Sequence, residues 1–186
     1  MKTTPVALHL SLLAALIFAL SLALACGGDD GGDPADSAGD AVTFSAYFAD
    51  LERIFEEADD AASEAEEPLN ETSSGAELDV KLSTLNTYLG EIDTVFGAAI
   101  DQLDDLDVPN AAAEHHRDFI DGVRASVTAG EALRNNLAEI TTDAQLGDRL
   151  ASFDSDIDAA VDKSDAACLA LQEIANTEEI AIDLAC

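Results

Sequence analysis

Basic residues are scarce in this sequence. Only 8 of its 186 residues are Lys or Arg, against 39 Asp and Glu, and the formal net charge is −31. Nucleic-acid binding needs Lys and Arg side chains that neutralise phosphates, and electrostatic docking onto anionic lipid needs a basic surface. The charge balance therefore excludes a nucleic-acid partner and any membrane attachment that works through positive charge.

Residues that mark familiar catalytic and cofactor sites are also missing. The sequence has no Trp, one Met and three His, and it lacks G-x-S-x-G, P-loop and G-x-G-x-x-G patterns. It also lacks the Glu-x-x-His pairs of di-iron bundles and the C-x-x-C-H haem attachment pattern. A catalytic triad built from distant residues leaves no such pattern. We expect no catalytic residue, no metal ligand and no cofactor, and hence not an enzyme.

The N-terminal segment has the layout of an export signal. It begins with Lys2, continues through residues 6–25 without Asp, Glu, Lys or Arg, and ends in Leu22-Ala23-Leu24-Ala25-Cys26. A charged start, an apolar run and a small-residue exit are typical of secretory signal peptides. The apolar run is also long enough to span a bilayer, so an uncleaved membrane anchor is an alternative.

The cysteine directly after Ala25 resembles the lipobox of bacterial lipoproteins. In that family the cysteine thiol is joined to diacylglycerol, the signal is cut just before it, and the new N-terminus is usually acylated. The resemblance implies that residues 1–25 are removed and that Cys26 carries lipid, although Ala23 stands where the family most often has Leu. Lipidation, plain cleavage and an uncleaved anchor all place the rest of the chain outside the cytoplasm.

The three cysteines fit this interpretation. If Cys26 carries lipid, Cys168 and Cys186 remain as a pair. Disulfides persist in exported proteins, so we predict a bridge between them, with free thiols as the alternative. The bridge would close a loop of 18 residues, and a disulfide across a loop of that length stabilises a fold by about 3 kcal/mol.

Residues 26–42 predict a flexible tether. Gly, Asp, Ser and Pro dominate them, and no large apolar side chain precedes Val42. A segment of this composition cannot form a hydrophobic core, and the r.m.s. distance between its ends is roughly 20 Å. A folded domain is then expected over residues 43–186.

Apolar residues in this domain recur at alternating four- and three-residue steps, which is typical of packed helices. The first predicted helix covers residues 44–67, with Thr43 as N-cap and Pro68 as its stop. The others run from Leu78 to Leu106, from about Pro109 to Ile140, and from an N-cap within residues 141–143 to about residues 175–176.

These periods predict an all-α fold, an antiparallel four-helix bundle whose extended C-terminal tail, residues 177–186, is tied back by the disulfide. An elongated coiled coil that dimerises through the second helix is the alternative. Gly90 and Gly97 share one face of that helix, which indicates either a close neighbouring helix or simple tolerance.

Two C-terminal patterns carry a second resemblance. The pattern C-x-x-L-Q-x-I-A-N…D-L-A-C starts at Cys168, and a Pro-x4-Glu-His-His pattern covers residues 109–116. Together they resemble parts of uncharacterised helical lipoproteins from bacterial envelopes. The resemblance implies a helical envelope domain and no particular activity.

Candidate binding residues are few. His116 falls on the apolar seam of the third helix, which favours a core histidine over a ligand-binding one. An acidic run matches EF-hand ligand positions, but Ala159 replaces the turn glycine and the helical seam continues through the run, which favours an acidic helix face. The run's acids are Asp154, Asp156, Asp158, Asp162 and Asp165.

We therefore expect a lipid-anchored, exported protein of the bacterial cell membrane or outer membrane. Its bundle would be a non-catalytic binding or structural module, with another envelope protein as a candidate partner. The alternative is a helical ligand- or cation-binding protein, with a pocket near His116, Gly122 and Gly130 or at the acidic run.

Overall fold

The computed structural model describes residues 43–72, 75–184 and 186, and these residues confirm the all-α fold without any strand. The signal segment, Cys26 and the tether lie outside the described residues. The helices are α1 (Phe44–Glu71), α2 (Leu78–Asp104), α3 (Ala113–Asn136) and α4 (Asp143–Thr177), with a short 3₁₀ turn (Leu137–Glu139) after α3.

Threonine side chains cap two of the helices, as predicted. The Thr43 hydroxyl accepts a hydrogen bond from the Ala46 N–H at 3.2 Å, and the Thr142 hydroxyl accepts one from the Gln145 N–H at 3.2 Å. The Gln145 side chain in turn accepts from the Thr141 N–H at 2.8 Å. These bonds satisfy N–H groups that a helix start leaves without partners, and they fix where α1 and α4 begin.

The prediction that Pro68 stops α1 is wrong, because the helix continues to Glu71. Proline has no N–H to donate to the preceding turn. The final turn is nevertheless held, since the Thr72 hydroxyl donates to the Pro68 carbonyl at 2.9 Å. The side chain of Leu69 is buried in the core. Packing of this last turn thus outweighs one missing hydrogen bond.

Helix α3 begins at Ala113, a few residues later than the predicted start at Pro109. The Ala112 N–H donates to the Pro109 carbonyl at 2.9 Å and closes a separate turn before the helix. Proline therefore opens the connection between α2 and α3 rather than the helix itself.

The core consists of two apolar clusters, one toward each end of the bundle. The first cluster joins the start of α1, the end of α2, the start of α3 and the end of α4. The second cluster joins the opposite ends of the same four helices, so sequential helices run antiparallel and the predicted bundle is confirmed. Representative members are Phe48, Leu103, Ile120 and Leu171 in the first and Leu69, Leu89, Leu133 and Leu150 in the second.

The chain reverses direction directly after α4. Glu179 adopts a left-handed backbone conformation with φ of 57°, and the Ile180 N–H donates to the Ala175 carbonyl at 2.9 Å. This arrangement is a Schellman motif, with Glu at the position that usually holds Gly. It turns the tail back along α4.

Three bonds hold the returning tail. The Gln172 amide donates to the Ile182 carbonyl at 2.9 Å and accepts from the Leu184 N–H at 2.7 Å. The disulfide joins Cys168 to Cys186, whose Cα atoms are 5.6 Å apart. The predicted bridge and the predicted extended tail are both present.

Most basic side chains of the bundle form exposed ion pairs. Lys81 contacts Asp143 at 2.9 Å, which links the starts of α2 and α4, and Lys163 contacts Asp121 at 3.2 Å, which links α4 to α3. The Lys81 side chain is only 11% exposed, whereas the other pairs have exposed basic side chains and each contribute about 0–1 kcal/mol. They leave most of the negative charge without a basic partner.

We therefore expect salt to stabilise the bundle. Raising NaCl from about 0.05 M to about 0.5 M shortens the Debye length to a few ångströms, and the screened repulsion among carboxylates outweighs the screened surface pairs. The free energy of unfolding, measured by urea titration at each salt concentration, should rise. A value that stays constant or falls would contradict this expectation.

Candidate ligand cavity

A cavity of about 410 Å³ separates the two core clusters. All four helices and the C-terminal tail contribute to its lining. Members of the first cluster form one part of the wall and members of the second form another, so the cavity occupies the middle of the bundle. Its largest apolar lining residues are Phe55, Tyr88, Leu89, Ile92, Phe96, Leu103, Phe119, Phe153, Ile157 and Leu184.

The walls are aromatic and aliphatic. Phe55 of α1 and Phe119 of α3 meet with ring centroids 5.0 Å apart, and both rings are only partly buried. Phe96 of α2 is likewise half-buried. These residues occupy the apolar faces of their helices, yet part of each ring faces the cavity instead of another side chain.

The cavity is partly open to solvent, and the apolar side chains that line it are not fully packed against other side chains. Protein interiors are packed as densely as organic crystals, with few voids larger than a water molecule. Apolar surface left facing water forfeits about 25 cal/mol for each Å². The volume of about 410 Å³ instead falls in the range of small-molecule sites, roughly 300–1,000 Å³.

The polar groups of the lining are few. Ser126 donates to the Gly122 carbonyl at 3.3 Å and Ser164 donates to the Val161 carbonyl at 3.0 Å, so each hydroxyl is engaged with its own helix. No histidine lines the cavity in the described part of the chain. Among the described residues, the cavity therefore holds no serine hydroxyl paired with a histidine.

Four aspartates complete the lining, Asp59 on α1, Asp93 on α2, and Asp154 and Asp165 on α4. Burial raises the pKa of Asp59, and the neighbouring Asp60 charge adds to the effect. Burial likewise raises the pKa of Asp165, with a further contribution from Asp162. Both shifts mean that the ionised carboxylates lack enough compensating positive charge.

The returning tail forms one side of the cavity. Cys168, Leu184 and Cys186 all belong to the lining, and Leu184 is 3% exposed. The disulfide thus holds the wall of the cavity as well as the end of the chain. Nothing in the spacing of the cysteines indicated this second role.

The glycines divide into different roles. A Cβ at Gly122 would lie 2.8 Å from the Ser164 backbone nitrogen and 3.0 Å from the Ala160 carbonyl oxygen, so Gly122 lets α3 and α4 approach closely. A Cβ at Gly97 would meet nothing within 4 Å, so no close neighbour requires glycine there and the helix simply tolerates it. Gly130 lines the cavity, whereas Gly122 does not.

At Gly90, a Cβ would lie 3.2 Å from the Arg134 guanidinium carbon. The close neighbour is therefore a flexible side chain of α3 and not its backbone.

His116 is a core histidine, as its position on the seam favoured. It is 6% exposed and does not line the cavity. Its Nε2 lies 3.1 Å from the Leu103 carbonyl oxygen, and its Nδ1 lies 3.0 Å from the Tyr47 hydroxyl. Because a carbonyl only accepts, Nε2 carries the proton and Nδ1 accepts from Tyr47 in the neutral ring.

This environment makes stability depend on pH. Burial lowers the pKa of His116 below 6.5, while the Leu103 hydrogen bond and the Asp104 charge act in the opposite direction. Below about pH 6.5 the unfolded chain takes up a proton that the folded chain resists, so stability is full above that pH and falls as pH drops. His116→Gln keeps a donor and cannot titrate, so its stability should lack this component.

The measurement is urea unfolding of both proteins between about pH 8 and pH 5. The free energy of wild type relative to His116→Gln should be constant above pH 6.5 and should decline below it. A difference that stays flat across the range, or rises on acidification, would contradict the assignment.

The sequence did not indicate that the carboxylate of Glu66 is buried. Glu66 is 7% exposed, and its Oε1 has no hydrogen-bond partner among the described residues. Burial raises the pKa of the cavity-lining Tyr88, and the Glu66 charge adds to this shift. Glu66 occurs in the run Glu64-Ala65-Glu66-Glu67, where composition does not distinguish a buried acid from exposed ones.

The acidic run of α4 does not form a calcium-binding loop. Its residues lie within the continuous helix Asp143–Thr177. In the part of the chain that the structure describes, no group of three or more His, Cys, Asp or Glu residues is placed to hold a metal ion. Asp154 and Asp165 instead line the cavity.

Comparison with known proteins provides no relative. No protein family, curated protein or solved structure matches the chain. Within residues 43–72, 75–184 and 186, no helix is both long and apolar enough to cross a membrane.

Proposed function

We propose that this protein is an exported, lipid-anchored module whose helical bundle binds a small apolar molecule between its two core clusters. The cavity of about 410 Å³ carries this proposal. An unfilled gap of this size in the middle of a bundle weakens the fold, whereas a ligand that fills it recovers the lost burial. A purely structural bundle would gain stability from larger side chains there.

The surface favours a small ligand over a protein partner. Among the described residues, the large hydrophobic side chains with high exposure are Val80 and Leu169. Val80 lies near the start of α2 and Leu169 near the end of α4, which are opposite ends of the bundle. They do not form the contiguous apolar patch that marks many protein interfaces.

The N-terminal sequence supports the location. The segment ending in Ala25-Cys26 is similar to a lipobox, and lipid on Cys26 would hold the mature chain at a membrane of the bacterial envelope. The tether of residues 26–42 would then carry the bundle roughly 20 Å from the lipid surface. Ligands would reach the cavity from outside the cytoplasm.

A cavity-filling substitution tests the binding function. Ala62 is 1% exposed and lines the cavity, so Ala62→Leu places an isobutyl group inside it. Ala49→Leu is the matched control, because Ala49 is exposed on the same helix. The probe is the neutral fluorophore N-phenyl-1-naphthylamine, whose emission rises in apolar surroundings.

Wild type and Ala49→Leu should bind the fluorophore with equal affinity, while Ala62→Leu should bind it about tenfold or more weakly and unfold at higher urea in its absence. Circular dichroism of all three proteins checks that the bundle is retained. Absence of binding to wild type, or equal binding to folded Ala62→Leu, would refute the cavity as the site.

A further inference from the structure

The charged groups of the cavity have one sign. Every charged residue in its lining within the described ranges is an aspartate, and these come from α1, α2 and α4. Asp93 has a partial counter-charge, since its carboxylate lies 3.8 Å from an Arg134 nitrogen. Asp59 and Asp165 sit on different helices, and the charges noted beside them belong to further aspartates. The potential in the cavity is therefore negative, which disfavours an anionic ligand.

The aromatic residues of the chain are concentrated at the same place. Of its seven Phe and two Tyr, five line the cavity, namely Phe55, Tyr88, Phe96, Phe119 and Phe153. The face of an aromatic ring carries negative potential and attracts ammonium groups, and walls of several rings are a recurrent site for quaternary ammonium ligands. Rings and carboxylates thus favour the same ligand chemistry.

We propose that the ligand of the cavity is an amphiphilic amine, an apolar body with one protonated or quaternary ammonium group. The apolar body packs among the rings and aliphatic side chains, and the ammonium group lies toward Asp59 and Asp165. This inference rests on the proposed binding function and adds the class of ligand. Both carboxylates line the cavity and have further aspartates as their charged neighbours, so a bound cation would supply compensating positive charge.

Three compounds with the same alkyl chain separate charge from apolar burial. Dodecyltrimethylammonium is cationic, dodecanol is neutral and dodecyl sulfate is anionic. Each is titrated against the folded protein with bound N-phenyl-1-naphthylamine, at concentrations below micelle formation, and displacement of the fluorophore is measured. The buffer contains about 0.15 M NaCl, where the Debye length of about 8 Å suppresses attraction by distant charges.

Two double variants locate the source of any preference. Asp59→Asn with Asp165→Asn removes two charges from the cavity. Glu52→Gln with Asp158→Asn removes two charges from positions on the same two helices that do not line the cavity. Both double variants therefore change the net charge of the protein equally.

Wild type should bind the cation about tenfold more tightly than dodecanol, and dodecyl sulfate most weakly. The cavity variant should lose this preference and keep its affinity for dodecanol, while the surface variant should resemble wild type. Equal affinity for the three compounds, preference for the sulfate, or equal loss in both variants would overturn the ligand class and leave the binding function standing. Failure of all three to displace the fluorophore from folded protein would overturn both.

Discussion

Opening the Cys168–Cys186 disulfide should lower the free energy of unfolding by about 3 kcal/mol. The bridge spans 18 residues, so it restricts the unfolded chain over the last turns of α4 and the whole tail. The suitable variant is Cys186→Ser, because Cys186 is exposed and its replacement leaves the buried Cys168 side chain in the core. The difference should appear in urea unfolding as a lower midpoint with a similar slope.

The reductant provides the control for this prediction. Wild type treated with dithiothreitol should match Cys186→Ser, and dithiothreitol should not change Cys186→Ser further. A loss below about 1 kcal/mol would show that the Gln172 hydrogen bonds and the packing of Leu184 hold the tail without the bridge. The tail forms one side of the cavity, so opening the disulfide should loosen that side. Cys186→Ser should therefore release N-phenyl-1-naphthylamine faster than wild type in stopped-flow displacement.

Two glycine-to-alanine substitutions should have opposite effects on stability. At Gly122 the new methyl group would contact the backbone of α4, with the Ala160 carbonyl oxygen only 3.0 Å away. Backbone atoms of a packed helix cannot turn aside as a side chain can, so the two helices must separate. Overpacking of this kind costs about 1–3 kcal/mol, and the backbone contact places Gly122→Ala toward the upper end.

Gly97→Ala is the matched comparison. A Cβ there meets nothing within 4 Å, so the substitution gains helix propensity without a steric cost, about 0.5–1 kcal/mol of stability. Urea unfolding of both variants measures the two changes. Stabilisation by Gly122→Ala would contradict the close approach of α3 and α4, and destabilisation by Gly97→Ala would contradict its open surroundings.

The architecture was predictable because its determinants are local. The leucines of α2 recur with helical spacing, Thr43 and Thr142 occupy cap positions, and a cysteine pair remains once Cys26 is assigned to lipid. The predicted end of α1 at Pro68 was wrong. The hydrogen bond that proline cannot make is evident from the sequence, whereas the burial of Leu69 in the last turn depends on contacts with the other helices.

The cavity was not predictable from the periodic pattern. Phe55, Phe96 and Phe119 occupy seam positions, and such positions predict core packing regardless of whether the facing side chains fill the space. The sum of side-chain volumes across four helices depends on register and helix separation, which no single helix encodes. The sequence left either a close helix approach or simple tolerance of glycine open for the two glycines of α2, and the structure places the close backbone approach at Gly122.

His116 shows how far a site residue could be predicted. Its seam position indicated a buried histidine, and the structure bears this out. Its partners, Tyr47 and the Leu103 carbonyl, come from two other helices and could not be read from spacing. Of the three residues expected near a pocket, Gly130 lines the cavity, whereas His116 is buried in the core and Gly122 packs against the backbone of α4.

Native mass spectrometry of the protein extracted from its own membranes tests the account most directly. The mature chain should begin at Cys26, carry added acyl mass, gain two hydrogens on reduction, and hold a small molecule that is lost on denaturation. Ala62→Leu extracted in parallel should carry the same acyl mass without the small molecule. A chain that retains residues 1–25, or a lipidated chain without a bound molecule, would contradict the proposed function.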